Sequence, residues 1–177
     1  LEIHFDLTGK PCQKRQNCIP NCQCGRFVEL WNLVFNEYYQ DRNKNFTSLK
    51  QKGVDTGMGL ERLTMVSQET PSVYETDLFF SIIKEIEKNT TISYILNPKP
   101  HRIIADHIKG SVFLISEGIF PSNVESGYIL RRLIRRTIRY TRFLNLSKNF
   151  LIPLAKKVIE IYKDIYPEIK SKETDVL

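Results

Sequence analysis

At Val54-Asp55-Thr56-Gly57-Met58-Gly59-Leu60-Glu61-Arg62 the chain stops reading as strands and starts reading as helices. Upstream, apolar residues alternate with polar ones or gather in aromatic and β-branched runs, the pattern of sheet. From Leu60 onward they recur as Leu60, Leu63, Met65 and Val66, at helical spacing. Two glycines one residue apart mark the junction, and glycine lets a ligand approach the main chain because no Cβ stands in the way. Asp55 lies just before the turn and Arg62 just inside the helix. That combination can hold an amine and a polyphosphate a few ångströms apart. A tight strand-to-helix turn with a surface Glu-Arg pair would read the same way, since short glycine motifs recur by chance.

The pattern on either side sets the fold class. Glu2 to Leu7 alternates Ile3, Phe5 and Leu7 with Glu2, His4 and Asp6, which predicts a half-buried strand. Thr8 to Gly25 is a polar, cysteine-bearing loop. Phe27 to Tyr39 predicts a long strand, Gln40 to Phe46 a polar turn, and Thr47 to Val54 the hairpin partner. A helix follows at about Gly59 to Ser67. Ser72-Val73-Tyr74-Glu75 reads as a capping box opening a helix through Tyr74, Leu78, Ile82 and Ile86, which ends at Asn89 to Thr91. His101 to Ile119 predicts a second helix, broken near Gly110 or Gly118, and Gly127 to Leu144 a third. Ala155 to Tyr166 predicts a fourth, with Pro153 in its first turn and Pro167 stopping it. Strands first and helices after predict α+β with segregated parts and a boundary near Thr70-Pro71.

The chain has 177 residues, 41% of them hydrophobic, enough for one domain or two small ones with a real core. No apolar run approaches the roughly 20 residues that span a membrane, and the start carries no basic-then-apolar leader. It begins inside a strand pattern and without Met, which predicts a piece of a longer protein cut at both ends. The net charge of +6 is moderate; its distribution says more. In the helix from Gly127, Leu130, Leu133, Ile134, Thr137 and Ile138 cover one side. Arg131, Arg132, Arg135, Arg136, Arg139 and Arg142 cover an arc of roughly 140° on the other. That face holds no acid, so a polyanion such as an RNA backbone is its natural partner. A plain solvated face is the alternative, and some of the arginines are expected to pair with acids on other helices.

Single residues add detail. Asn123 in Pro121-Ser122-Asn123 suits a turn or cap. Asn32 is out of place in a strand and needs partners for its amide, from neighbouring backbone or from a ligand. Arg102 and Asp106, four residues apart, predict a structural pair. His107 reads as a packed helix residue. Cys12, Cys18, Cys22 and Cys24, spaced C-x5-C-x3-C-x-C, can form a tetrahedral Zn²⁺ site with His4 as a spare ligand. The C-x2-C knuckle of zinc ribbons is absent, and reduced, unliganded thiols in a cytosolic protein fit the same loop.

Longer strings carry a resemblance. Val-Asp-Thr-Gly-Met-Gly-Leu-Glu-Arg-Leu (54–63) resembles motif 3 of the class II aminoacyl-tRNA synthetases, in its alanyl-tRNA synthetase version. Arg26-Phe27-Val28-Glu29-Leu30-Trp31-Asn32-Leu33-Val34-Phe35 is similar to that family's substrate-binding strand. Arg102-Ile103-Ile104-Ala105-Asp106-His107-Ile108, Pro121-Ser122-Asn123 and Gly127-Tyr128-Ile129-Leu130-Arg131-Arg132-Leu133-Ile134-Arg135-Arg136 are similar to its helical tRNA-recognition region. The likeness runs in order from Glu2 to about Tyr140 and is less distinctive from about Asn145.

The resemblance implies part of a class II antiparallel sheet, residues 1–70, including the end of the catalytic domain, then an all-helical tRNA-recognition region, 71–177. It implies a cytoplasmic ligase of protein biosynthesis that activates alanine with ATP and Mg²⁺ and charges tRNA(Ala). Asn32 and Asp55 would bind alanine, with the Asp55 carboxylate on its ammonium group. Gly57 and Gly59 would lie against ATP, Arg62 would neutralise its γ-phosphate, and Glu29 would contact ATP or Mg²⁺ from the opposite pleat to Asn32 if the strand is regular. Asn123 would contact the acceptor-stem base pair that identifies the tRNA, with Arg131, Arg132, Arg135, Arg136 and Arg139 on its phosphates. Class II motif 3 usually begins with a small residue where this chain has Asp55, a departure that fits the alanyl type. Nothing matches motifs 1 and 2 or the editing domain, so the segment is expected to be inactive alone. The alternatives are a non-catalytic RNA-binding module on a degenerate synthetase scaffold and a plain DNA-binding helical domain. The latter predicts no Asn32/Asp55 pair.

Overall fold

Phe27–Gln40 carries two Phe, two Tyr, a Trp and two Val, and forms the central strand β2 of an antiparallel sheet. The computed structural model describes residues 1–10, 12, 18–20 and 22–177. Among these, β1 (Glu2–Asp6) and β3 (Phe46–Met58) flank β2 in the order β1-β2-β3. The predicted hairpin is present. Its turn is built on Asp41, whose Oδ1 accepts the backbone N–H of Asn43 at 2.8 Å and of Asn45 at 2.9 Å. Lys44 takes the left-handed backbone there, at φ 68°. β3 continues past Val54 to Met58, so Asp55 and Gly57 are sheet residues, and α1 (Leu60–Ser67) starts two residues beyond Met58.

The register of β1 on β2 shifts once. Ile3 opposes Trp31 but His4 opposes Glu29, which leaves Leu30 as an extra residue on β2. A bulge of this kind re-aims side chains. Successive residues of β1 alternate faces, so Glu2 and His4 share one; their partners Asn32 and Glu29 therefore share it too. The regular strand expected from the sequence would have put Glu29 opposite Asn32, and the bulge corrects that reading. The Gly59 N–H donates to the Leu30 carbonyl at 3.0 Å, pinning the bulge to the start of α1.

The half-buried β1 of the sequence reading is corrected as well. Ile3 and Phe5 are 45% and 42% exposed, while His4 and Asp6 are the better covered residues. The alternation is present, but the apolar side chains Ile3, Phe5 and Leu7 are left substantially exposed.

The second compact unit, Tyr74–Leu177, is helical. Its helices are α2 (Phe80–Lys88), α3 (Pro98–Ser116), α4 (Glu125–Phe143), α5 (Leu151–Tyr162), α6 (Pro167–Ser171) and α7 (Glu173–Val176). Val73–Glu75 is a short 3₁₀ turn, and the helix expected from Ser72 begins only at Phe80. The Glu75 carboxylate is drawn to Arg102, at 3.2 Å, and to the Tyr94 hydroxyl, so Arg102 pairs with Glu75 rather than with Asp106. Asp106 bonds instead to Nδ1 of the nearly buried His107, at 2.8 Å. α3 runs unbroken through Gly110 and ends before Gly118, whose φ of +80° supplies the left-handed residue that closes a helix. Asn145, at φ 56°, does the same after α4. Pro167, expected only to stop a helix, also opens α6. Ile82, Ile83 and Ile86 of α2, Ile104 and Val112 of α3, and Leu154 and Val158 of α5 form the core of this unit. Among the described residues no helix is long and apolar enough to cross a membrane.

Candidate functional site

Asn32 pairs with Gly57 across the hairpin and Val34 with Asp55, so the side chains of Asn32 and Asp55 emerge on one face. With Val34, Thr56 and Gly57 they line a shallow depression of about 230 Å³. Neither the Asn32 amide nor the Asp55 carboxylate has a hydrogen-bond partner among the described residues, so both are free to bind a ligand. Asn32 is held in place through its backbone. Trp31 Nε1 donates to Thr56 Oγ1 at 2.5 Å, and Thr56 Oγ1 donates to the Asn32 carbonyl at 3.1 Å. The sequence reading did not single out Trp31 or Thr56. An indole beside the odd strand residue was the available signal, because a partly covered indole N–H finds an acceptor.

Arg62, on the first turn of α1, reaches back to the bulge. Its Nη1 donates to the Glu29 carbonyl at 2.8 Å and stands 4.0 Å from the Glu29 carboxylate. Gly59 lies close against that side chain. A Cβ there would meet the Arg62 side chain at 3.2 Å, and the arginine would have to shift. At Gly57 a Cβ would meet nothing within 4 Å, so the main chain is open beside the depression. An anion (Asp55), an uncommitted amide (Asn32) and a second carboxylate (Glu29) thus stand on the β2–β3 pair, with a cation (Arg62) reaching Glu29 from the start of α1. Such a set can hold an ammonium group and a phosphate together. Glu29 is also close to Glu2 and His4, with one possible ligand atom from each within 4.8 Å of the others. His4 lies 3.6 Å from Glu2 and belongs to that set, not with the cysteines as a spare ligand.

On α4 the predicted amphipathic split is observed. Leu130, Thr137 and Thr141 are buried; Arg132, Arg135, Arg136, Arg139 and Arg142 are exposed and Arg131 is half-buried. None of the six pairs with an acid among the described residues, which corrects the expectation that some would. Arg131 donates to Asn123 Oδ1, and the guanidinium carbons of Arg131 and Arg132 each lie 5.7 Å from the Tyr128 ring centre. Gly127, whose role no local pattern reveals, holds this corner. A Cβ on it would come within 2.3 Å of Ser122 Oγ and 2.6 Å of the Phe120 carbonyl, and its own carbonyl accepts the Ser122 N–H at 3.0 Å. The Pro121-Ser122-Asn123 turn therefore lies directly on the start of α4.

The four cysteine sulfurs all lie within 4.8 Å of one another, a set that could hold a metal ion. Cys12 and Cys22 approach to 3.6 Å, as do Cys18 and Cys24. The Cys22 thiol is pushed up to about 11, first by its hydrogen bond with Cys24, then by burial and by Cys12. Next to this cluster Arg26 Nε donates to both oxygens of Asp6, at 2.9 and 3.0 Å. That contact holds the Asp6 carboxyl well below the usual range, with help from the backbone N–H groups of Gly9 and Thr8.

One unit holds an antiparallel sheet that leads through a glycine junction into a helix; the other holds the arginine helix. The family model described as "tRNA synthetases class II (A)" matches residues 1–177, and the chain belongs to that family. Its relatives include proteins named alanine–tRNA ligase. The one from Petrotoga mobilis is 45% identical over 177 residues, covering 97% of this chain and 20% of that protein. The one from Elusimicrobium minutum is 46% identical over 174 residues, with the same two shares. The one from Thermotoga maritima is 47% identical over 173 residues, covering 95% of this chain and 20% of that protein. The chain thus spans about a fifth of the length of the curated relatives it matches.

Proposed function

We propose that this chain is the segment of an alanine–tRNA ligase that binds alanine and part of ATP on its sheet and the tRNA(Ala) acceptor stem on its helices. The observation that carries the reading is the pair Asn32 and Asp55, on one face beside Gly57 and without side-chain partners among the described residues, with Glu29 turned to that face by the Leu30 bulge and Arg62 bonded to the Glu29 carbonyl. In the reaction the alanine carboxylate attacks the ATP α-phosphorus, pyrophosphate leaves, and the alanyl group then passes from the adenylate to a hydroxyl at the tRNA 3′ end. These steps ask for positioning and for neutralisation of phosphate charge more than for a side-chain acid or base. Asp55 would hold the ammonium group and Asn32 the rest of the amino acid. Arg62 would leave the Glu29 carbonyl for the γ-phosphate, and Glu29 would face Mg²⁺. Gly57 and Gly59 would let the main chain lie against the nucleotide. Residues 1–70 would form the end of the catalytic domain and 71–177 the start of the tRNA-recognition region. The remainder of the parent chain would cover the exposed apolar face of β1 and complete the site, in the cytoplasm where tRNA is charged.

The test is ATP–pyrophosphate exchange by the full-length protein across a panel of small amino acids. Exchange that depends on alanine is the expected result; exchange driven equally by any amino acid, or by none, overturns the reading. For the helical part, Arg135 and Arg139 replaced together by Gln should leave exchange intact but weaken tRNA binding. The slope of log affinity against log salt should fall by roughly 1 for each lost phosphate contact. An unchanged slope in a salt titration would remove the arginine face from the RNA surface.

A further inference from the structure

The ligase chemistry makes no use of the connection between β1 and β2, where the cysteines lie. We propose that Cys12, Cys18, Cys22 and Cys24 together bind one Zn²⁺ as a closed, structural tetrathiolate site that locks this connection. Four sulfurs at Zn–S distances of about 2.3 Å stand about 3.8 Å apart along the edges of a tetrahedron. The pairs Cys12–Cys22 and Cys18–Cys24, each at 3.6 Å, are two opposite edges of such a figure, and every remaining separation is within 4.8 Å. The thiols are not disulfides, which need sulfurs about 2.05 Å apart. Apolar packing does not explain the convergence either. Only Cys22 is buried, the other three are half-covered, and the nearby Ile19 is 52% exposed. An all-thiolate set with four members and no water position selects a soft ion and leaves no open site for chemistry.

Binding releases the thiol protons to solvent and changes no oxidation state. Four thiolates and one Zn²⁺ leave two negative charges, and Arg26, beside Cys18, is the nearby cation. Arg26 also grips Asp6 and, through its carbonyl, accepts the Leu7 N–H at 2.8 Å. The connection is thus closed at its base by Arg26–Asp6 and would be closed a second time by a metal held between Cys12, Cys18, Cys22 and Cys24. Arg26 is a positioning residue that couples the two closures. Since β1 enters through this base, the metal would also keep Glu2 and His4 in register against Glu29.

The inference is independent of the ligase reading, and its test does not use activity. Full-length protein, purified reduced and without chelator, is alkylated with and without prior chelator treatment, and the peptides carrying the four cysteines are quantified by mass spectrometry. Protection that is lost on chelation is expected. Cys22→Ser should lower the zinc content by about one equivalent relative to wild type, matching the single four-ligand site. Arg26→Gln should weaken zinc retention on the order of 10–100-fold. Equal alkylation with and without chelator in the wild-type protein would overturn the site, even if the Cys22 variant failed to fold.

Discussion

Asp55→Asn in the full-length protein is expected to cut alanine-dependent pyrophosphate exchange by on the order of 2–5 kcal/mol in kcat/KM, the cost of leaving a bound ammonium without its counter-charge. The substitution keeps the shape of the side chain. Asp55 makes no side-chain hydrogen bond among the described residues, so the sheet loses nothing when its charge goes. The depression formed with Asn32, Val34, Thr56 and Gly57 keeps its lining. The loss should therefore fall on alanine KM and on kcat, while ATP KM stays close to wild type. That split separates a lost ammonium contact from a damaged fold, which would raise both KM values. Unchanged alanine KM and kcat would take Asp55 out of the site and leave the depression as a surface feature.

Asn123→Ala should lower charging of the cognate tRNA by on the order of 1–3 kcal/mol while exchange persists, because base edges supply identity and phosphates only register. The structure supplies a companion variant. Gly127→Ala would force a Cβ into Ser122 Oγ at 2.3 Å and the Phe120 carbonyl at 2.6 Å, so the turn carrying Asn123 must move. Both variants should lose discrimination between cognate tRNA and a tRNA altered only at the identity pair. If both discriminate as well as wild type, Asn123 is a turn residue and nothing more.

The elements legible in the sequence were those with a strong period. The Phe27 strand, its hairpin partner and the arginine helix are set by local residue choice, and each is present within a few residues of its expected bounds. What local pattern could not show was the extra residue at Leu30, because a bulge is a property of two strands in register and β1 lies a long loop away. The face on which Glu29 stands followed from that. The same limit hid the partner of Arg102. An acid four residues on is visible in the sequence, whereas Glu75 becomes available only once α3 packs against the turn before α2. β1 erred in the other direction, since alternation records which face is apolar and says nothing of what covers it. Gly127 was in plain view, but its necessity lies in the carbonyl and hydroxyl that sit where a side chain would be.

The contact between Arg131 and Asn123 has a directional consequence. An amide is a two-faced reader, able to offer a donor or an acceptor by rotating half a turn. Arg131 donates to Oδ1 of Asn123, which restrains that rotation and takes up one of the two lone pairs of the oxygen. A side chain restrained this way would keep both NH₂ hydrogens for acceptor atoms on the RNA minor groove and would have only one lone pair left for a donor. The arginine next to it would then contribute to selectivity without touching a base, by biasing which half of its neighbour is presented.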